Sequence, residues 1–170
     1  MTTLAIFDLD NTLIAGDSDY LWGMFLVEHG LVDAISYEAE NRRFYDEYTR
    51  GVLDMKAFLS FSLKPLTRFS MNDLTELHRE FMEEKIAPII TVASRRLLRD
   101  HRRQGHVLLI VTATNQFVTA PIARALGVEN LIATEAEVRD DRFTGRVVGV
   151  PSFREGKVIH VQQWLKKRGH

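Results

Sequence analysis

Two short, unbroken apolar runs frame this chain. The first, Leu4-Ala5-Ile6-Phe7, leads directly into Asp8-Leu9-Asp10-Asn11-Thr12-Leu13. The second, Val107-Leu108-Leu109-Ile110-Val111, lies between Gly105 and the polar cluster Thr112-Ala113-Thr114-Asn115. Runs without polar alternation read as strands of a parallel sheet buried on both faces. About one hundred residues separate them, far more than an ordinary βα connection needs, so the pattern predicts an insertion. Within it, apolar and aromatic residues recur at helical spacing: Tyr20, Leu21, Phe25 and Leu26, then Phe44, Tyr45 and Tyr48. The spacing predicts helices over 19–30, 37–50, 54–63 and 72–86, the last capped by Ser70 or Asn72, which together make a small bundle. Farther on, residues 136–148 alternate on both sides of a polar turn and predict a β-hairpin, and a last helix runs from about Lys157 to Arg168.

The chemistry gathers where the apolar runs end. Ligand sites in open α/β sheets lie just beyond the carboxyl ends of the strands, which is where Asp8 and Asp10 fall. Two carboxylates so close repel, and a shared hard cation such as Mg²⁺ lets both stay ionised. If strand geometry continues to Asp10, the two share one face, a spacing that suits a nucleophile beside a proton-transferring partner. An isolated pair would read first as the start of a turn or a helix cap. Thr112, at the end of the second run, offers a hydroxyl that binds a phosphoryl oxygen without adding charge, helped by backbone N–H groups of the following helix. Lys157, at the start of the late helix, supplies an ammonium able to neutralise a carboxylate and a phosphoryl group.

Composition narrows the class without choosing the activity. A chain of 170 residues with 45% hydrophobic content is one globular domain, with room for a small insertion. Its 22 basic and 23 acidic side chains nearly cancel, which removes a general electrostatic case for a nucleic-acid or membrane partner. There is no Cys and no basic segment leading into a long apolar one, so the expectation is a cytoplasmic protein without disulfides. The basic run Arg95, Arg96, Arg99, His101, Arg102 and Arg103 has no interleaved aromatics and reads as a solvated helix face. The six histidines show no H-x-x-x-H spacing that would suggest zinc.

The ordered set D-x-D-x-T-L, strand-Thr and Lys-at-helix-start resembles the haloacid dehalogenase superfamily, and the hairpin resembles that of its phosphoserine-phosphatase-like members. The resemblance implies an α/β fold, a Rossmann-like parallel sheet over 1–15 and 89–170, with a helical cap inserted at 16–88. It implies a phosphatase in which Asp8 is the nucleophile and Asp10 the general acid/base, with Thr112 and Lys157 completing the catalytic set. It places Thr12, Ala113, Thr114 and Asn115 at the phosphate and Asp17 at the leaving group, although Asp17 or Ser18 reads more readily as a cap for the first inserted helix. It implies Mg²⁺ held by Asp8 and Asp10, the latter through its backbone carbonyl, and a small phosphorylated metabolite of the phosphoserine or histidinol-phosphate type. Arg42, Arg43 and Arg50 could meet a substrate carboxylate or simply be solvated. The family's fourth motif, an acidic pair on a further strand, does not follow Lys157 before His170. That departure carries two expectations: a shortened chain with weak metal binding, and self-association through an open sheet edge. It also sustains an alternative reading, a catalytically incomplete member acting as a binding protein. A receiver-like role for Asp8 would have no use for the long insertion.

Overall fold

The computed structural model describes residues 3–169. Its centre is a three-stranded parallel sheet of β1 (Leu4–Phe7), β2 (Val107–Asn115) and β3 (Asn130–Thr134), with β2 in the middle. Leu4 to Phe7 pair in register with Val107 to Ile110, and Leu109 to Val111 pair with Asn130 to Ile132. Successive side chains of β2 serve opposite faces, as strand geometry requires. Leu108 and Ile110 enter the main core with Ala5 and Phe7, while Leu109 and Val111 join Ile132 beneath Val161 and Trp164 of the last helix, α7 (Glu155–Lys167). This double burial explains why the run had to be apolar throughout. Ile6 falls on the α7 side but outside its cover and is 50% exposed. Among the described residues, the outer edge of β1 has no partner strand.

Four helices occupy the insertion: α1 (Ser18–Glu28), α2 (Ala34–Thr49), α3 (Met55–Leu63) and α4 (Met71–Phe81). Each opens on a side-chain cap, with Asp17, Asp33, Asp54 and Ser70 accepting hydrogen bonds from backbone N–H groups of the first turn. α2 begins at Ala34, three residues before the aromatic pattern starts, because the Asp33 cap and not the hydrophobic period sets its origin. The helix expected over 72–86 ends at Phe81 and continues as a π-helical turn at Met82–Ile86. Trp22 packs between Phe25, His78, Phe81 and Phe117, so α1 and α4 share one core with the sheet layer. α2 buries only Asn41 and Phe44.

The chain then returns through α5 (Val92–Arg103) to β2, crosses by α6 (Gln116–Ala125) to β3, and forms the expected hairpin of β4 (Ala136–Arg139) and β5 (Arg142–Val147). β3 has no signature in the sequence: its five residues contain only Leu131 and Ile132 as large apolar side chains, too few to show a period. The basic face of α5 is not merely solvated. Arg102 donates to the carbonyl oxygens of Leu126 and Gly127 at 2.6 and 2.7 Å, anchoring the turn after α6, and His101 packs edge-on against Phe7. No helix among the described residues is long and apolar enough to cross a membrane.

Candidate active site

Three segments distant in sequence meet at the carboxyl end of the sheet. β1 stops at Phe7, so Asp8 and Asp10 lie in the loop beyond it instead of on a continued strand. Asn11, with φ of 56°, turns the chain in the left-handed region that Asn tolerates, and its N–H donates to the Gly16 carbonyl oxygen at 2.9 Å. Asp8 remains about half exposed, and Lys157, in the first turn of α7, places its Nζ 3.1 Å from Asp8 Oδ1. Thr112 and Thr114 sit where the β2–β3 register shifts, a local irregularity of the kind that re-aims side chains beside a site.

Asp10 is held from both sides. Its Oδ1 accepts from the Ser18 N–H at 2.7 Å and the Ser18 hydroxyl at 2.6 Å, and its Oδ2 accepts from Thr114 Oγ1 at 2.9 Å and, more weakly, Thr112 Oγ1 at 3.3 Å. The first N–H of α1 therefore points at this carboxylate, a placement the helix dipole favours. Burial raises the Asp10 pKa, an effect reinforced by the charge of Asp8 and opposed by the hydrogen bonds from Ser18 and Thr114. Asp17 caps α1, accepting from the N–H groups of Asp19 and Tyr20 at 3.0 and 2.9 Å, and also lines the cavity. Burial, with the charge of Asp10, pushes its pKa up to about 7. Asp19 is buried, and desolvation followed by the charges of Asp17 and Asp10 drives its pKa well above the usual carboxylate range.

The cavity above these groups holds about 580 Å³, counting its open mouth. Asp8, Asp10, Asp17, Thr112, Ala113, Thr114 and Lys157 line it as a set. Thr12 is exposed on the turn after Asp10 and does not line the cavity, and Asn115 is buried as the cap of α6, its Oδ1 accepting from the Val118 N–H. Arg42, Arg43 and Arg50 also stay outside, each paired with acids of its own helix. The sequence pattern does not single out Ser18 as a partner of Asp10. Nor does it show the far wall, where Tyr45 and Tyr48 of α2 and Phe58 of α3 face the cavity. Their helical spacing reads as that of packing residues, although α2 buries only Asn41 and Phe44.

The loop before α7 is fixed to the sheet. Thr134 Oγ1 donates to the Ala113 carbonyl oxygen at 2.7 Å and accepts from the Ser152 N–H at 3.0 Å. Arg154 adopts a positive φ of 48° and donates to the Gly51 carbonyl oxygen at 2.9 Å. A Cβ on Gly156 would run into the Pro151 carbonyl oxygen, so the first turn of α7 closes on its lead-in only because Gly156 has no side chain. Gly156→Ala is expected to shift that turn, separate Lys157 from Asp8, and lower kcat by roughly tenfold to a hundredfold, with a lower Tm. A variant with unchanged kcat and Tm would show that the loop relaxes freely.

Asp19 gives a stability prediction of defined sign. A carboxyl group whose folded pKa is raised binds more protons folded than unfolded, so it destabilises above its unfolded value and has no effect once both states are protonated. Asp19→Asn is expected to raise stability by roughly 1–3 kcal/mol near pH 7, several degrees in Tm, with the gain vanishing towards pH 4. Thermal melts across this range check it, and a gain that persisted at pH 4 would assign the effect to something other than charge.

The residues present suit a hydrated divalent cation shared with a phosphate. Asp10's carboxylate is saturated by its four donors, which leaves its backbone carbonyl and the Asp8 carboxylate as protein ligands, and Mg²⁺ commonly binds one or two carboxylates together with phosphate and water. Among the described residues, the group of three or more metal-ligating side chains that does converge is His29, Glu80 and Glu84, none of which lines this cavity.

Residues 5–170 match the family model for haloacid dehalogenase-like hydrolase. The chain is 47% identical, over 99% of its length and 77% of the relative's, to a protein of Neisseria meningitidis named histidinol-phosphatase. It is 30% identical to a protein of Mycobacterium tuberculosis named phosphoserine phosphatase, covering 99% of this chain but 56% of that one. A solved structure from Bordetella pertussis, described as a protein of unknown function, superposes with a TM-score of 0.92 at 47% identity, covering 99% of this chain and 77% of that one.

Proposed function

Because the chain belongs to the haloacid dehalogenase-like hydrolase family, we propose that its cavity hydrolyses a small phosphomonoester through an aspartyl-phosphate on Asp8. The observation that carries this reading is the meeting of Lys157 Nζ with Asp8 at 3.1 Å, beside an Asp10 gripped by Ser18, Thr112 and Thr114. In the first step Asp8 attacks phosphorus in line, the ester P–O bond breaks, and Asp10 gives its proton to the departing alkoxide. Burial, which raises the Asp10 pKa, favours the protonated form that this step needs. In the second step Asp10 takes a proton from water, which attacks the acyl phosphate, breaks the bond to Asp8 and releases inorganic phosphate. Lys157 faces the charge on the phosphoryl oxygens, and the weak Thr112 hydrogen bond to Asp10 leaves its hydroxyl free to turn towards one of them. Mg²⁺ on Asp8 and the Asp10 carbonyl, when bound, would draw further charge from the same oxygens.

Residues 16–88 act in this reading as a cap, with α2 and α3 forming the wall opposite the acids and the cap's closure excluding water. The names of the two relatives suggest substrates of the histidinol-phosphate or phosphoserine type. The expected result is hydrolysis of phenyl phosphate with added Mg²⁺ and its loss in EDTA. The small set of metal donors favours one alternative, a binding protein without turnover. That alternative predicts that vanadate or beryllofluoride binds but phenyl phosphate is not hydrolysed.

A further inference from the structure

The cavity has two ends of opposite chemistry. Thr112, Thr114 and Lys157 line it beside Asp8 and Asp10, whereas α1, α2 and α3 contribute Tyr20, Phe44, Tyr45, Tyr48 and Phe58, with Asp17 and Asp19 also in its lining. Among the described residues, Lys157 is the one cationic side chain lining this cavity, and its ammonium is already on Asp8. The arginines of α2 are turned to their own helix, Arg43 lying over the Phe44 ring while paired with Glu40 and Glu47.

Asp19 is the unexplained group. It is only 9% exposed, it lines the cavity, and no donor among the described residues reaches its carboxylate. The neighbouring Asn41 directs its Nδ2 to the Tyr20 carbonyl oxygen at 3.1 Å instead. A buried, unpaired carboxylate is costly to the fold, and the partner that would offset that cost is a cation arriving from the cavity. The aromatic walls suit the same visitor, since the faces of Tyr and Phe rings attract cations and the Tyr20 and Tyr45 rings lie 4.9 Å apart. A substrate carboxylate would meet the carboxylates of Asp17 and Asp19 there, besides the neutral Asn41 amide and tyrosine side chains, with no guanidinium or ammonium to pair it.

We propose that this end of the cavity recognises an organic cation that carries no carboxylate, with Asp19 as the specificity-determining residue. The substrate is then the phosphomonoester of an amino alcohol, its ammonium or imidazolium group seated between Asp19 and the tyrosine rings. The assignment rests on the phosphatase reading above.

The test compares kcat/KM for histidinol phosphate, phosphoserine and phenyl phosphate in the natural chain and in Asp19→Asn. The natural chain is expected to prefer histidinol phosphate to phosphoserine by about 100-fold or more. Asp19→Asn should reduce its preference for histidinol phosphate over phenyl phosphate by roughly 10- to 100-fold, mainly through KM, and Asp19→Glu should recover part of it. Phosphoserine turned over as well as histidinol phosphate, or a ratio unchanged in Asp19→Asn, would overturn the proposal. Failure to hydrolyse any of the three removes the phosphatase reading alone. In that event calorimetry with histidinol, which lacks the phosphate, decides the matter: binding at least about tenfold weaker in Asp19→Asn supports the cation site, and equal or absent binding in both overturns it.

Discussion

Asp8→Asn is expected to reduce hydrolysis of phenyl phosphate to the uncatalysed background while leaving the fold intact. Asn has nearly the shape of Asp, and Asp8 is half exposed with one side-chain partner, Lys157, so little packing is lost. What disappears is the nucleophile. An amide oxygen attacks phosphorus poorly, and no other carboxylate lining the cavity is both accessible and free: both oxygens of Asp10 are occupied, Asp17 is engaged as a helix cap, and Asp19 is buried. The measurement is steady-state turnover beside a thermal melt. Near-normal turnover by a folded Asp8→Asn variant would transfer the nucleophilic role elsewhere.

Asp10→Asn is expected to separate the two chemical steps. With an alkyl ester, loss of the proton donor should slow turnover by roughly 10²- to 10⁴-fold. With p-nitrophenyl phosphate the leaving group needs no proton, so Asp8 should still be phosphorylated, and the phosphoenzyme should accumulate because the substituted amide cannot activate water. The observable is a burst of nitrophenol followed by a slow steady rate. Equal slowing of both substrates with no burst would mean that Asp10 positions Asp8 or the phosphate and transfers no proton. The hydrogen bonds make this contrast clean: the Ser18 and Thr114 hydroxyls can rotate to serve either the oxygen or the amide nitrogen of an Asn side chain, which therefore keeps most of the native orientation.

The parts of this molecule that are legible in its sequence are those that physics enforces over short stretches. A strand buried on two faces must be apolar throughout, so β1 and the long β2 stand out, as does the hairpin with its alternation and polar turn. Helix origins follow side-chain caps: Asp17 and Ser70 are visible candidates and Asp54 falls at the predicted start of its helix, whereas Asp33 is hidden because the aromatic period begins later. β3 is not legible, since five residues paired to one neighbour leave no periodic trace. At the site, Asp8, Asp10, Thr112 and Lys157 can be picked out because each closes an apolar run or opens a helix, and the fold brings those ends together. Ser18 cannot, because its hydrogen bonds to Asp10 depend on the turn at Asn11 that swings the start of α1 back over the loop. The aromatic wall and the unpaired state of Asp19 are properties of packing between α1, α2 and α3, for which no local signal exists.

The assignment of Asp8 as the residue that carries the phosphoryl group can be tested directly by trapping. Borohydride reduces an aspartyl phosphate to homoserine, so quenching the enzyme during turnover of p-nitrophenyl phosphate and sequencing the reduced peptide by mass spectrometry identifies the acceptor. The Asp10→Asn variant is the best starting material, since its phosphoenzyme should persist. Homoserine is expected at position 8 and nowhere else in the peptide, with none when substrate is omitted. Homoserine at position 17 or 19, or at position 10 when the natural chain is quenched in the same way, or continued turnover with no reducible intermediate at all, would contradict the assignment.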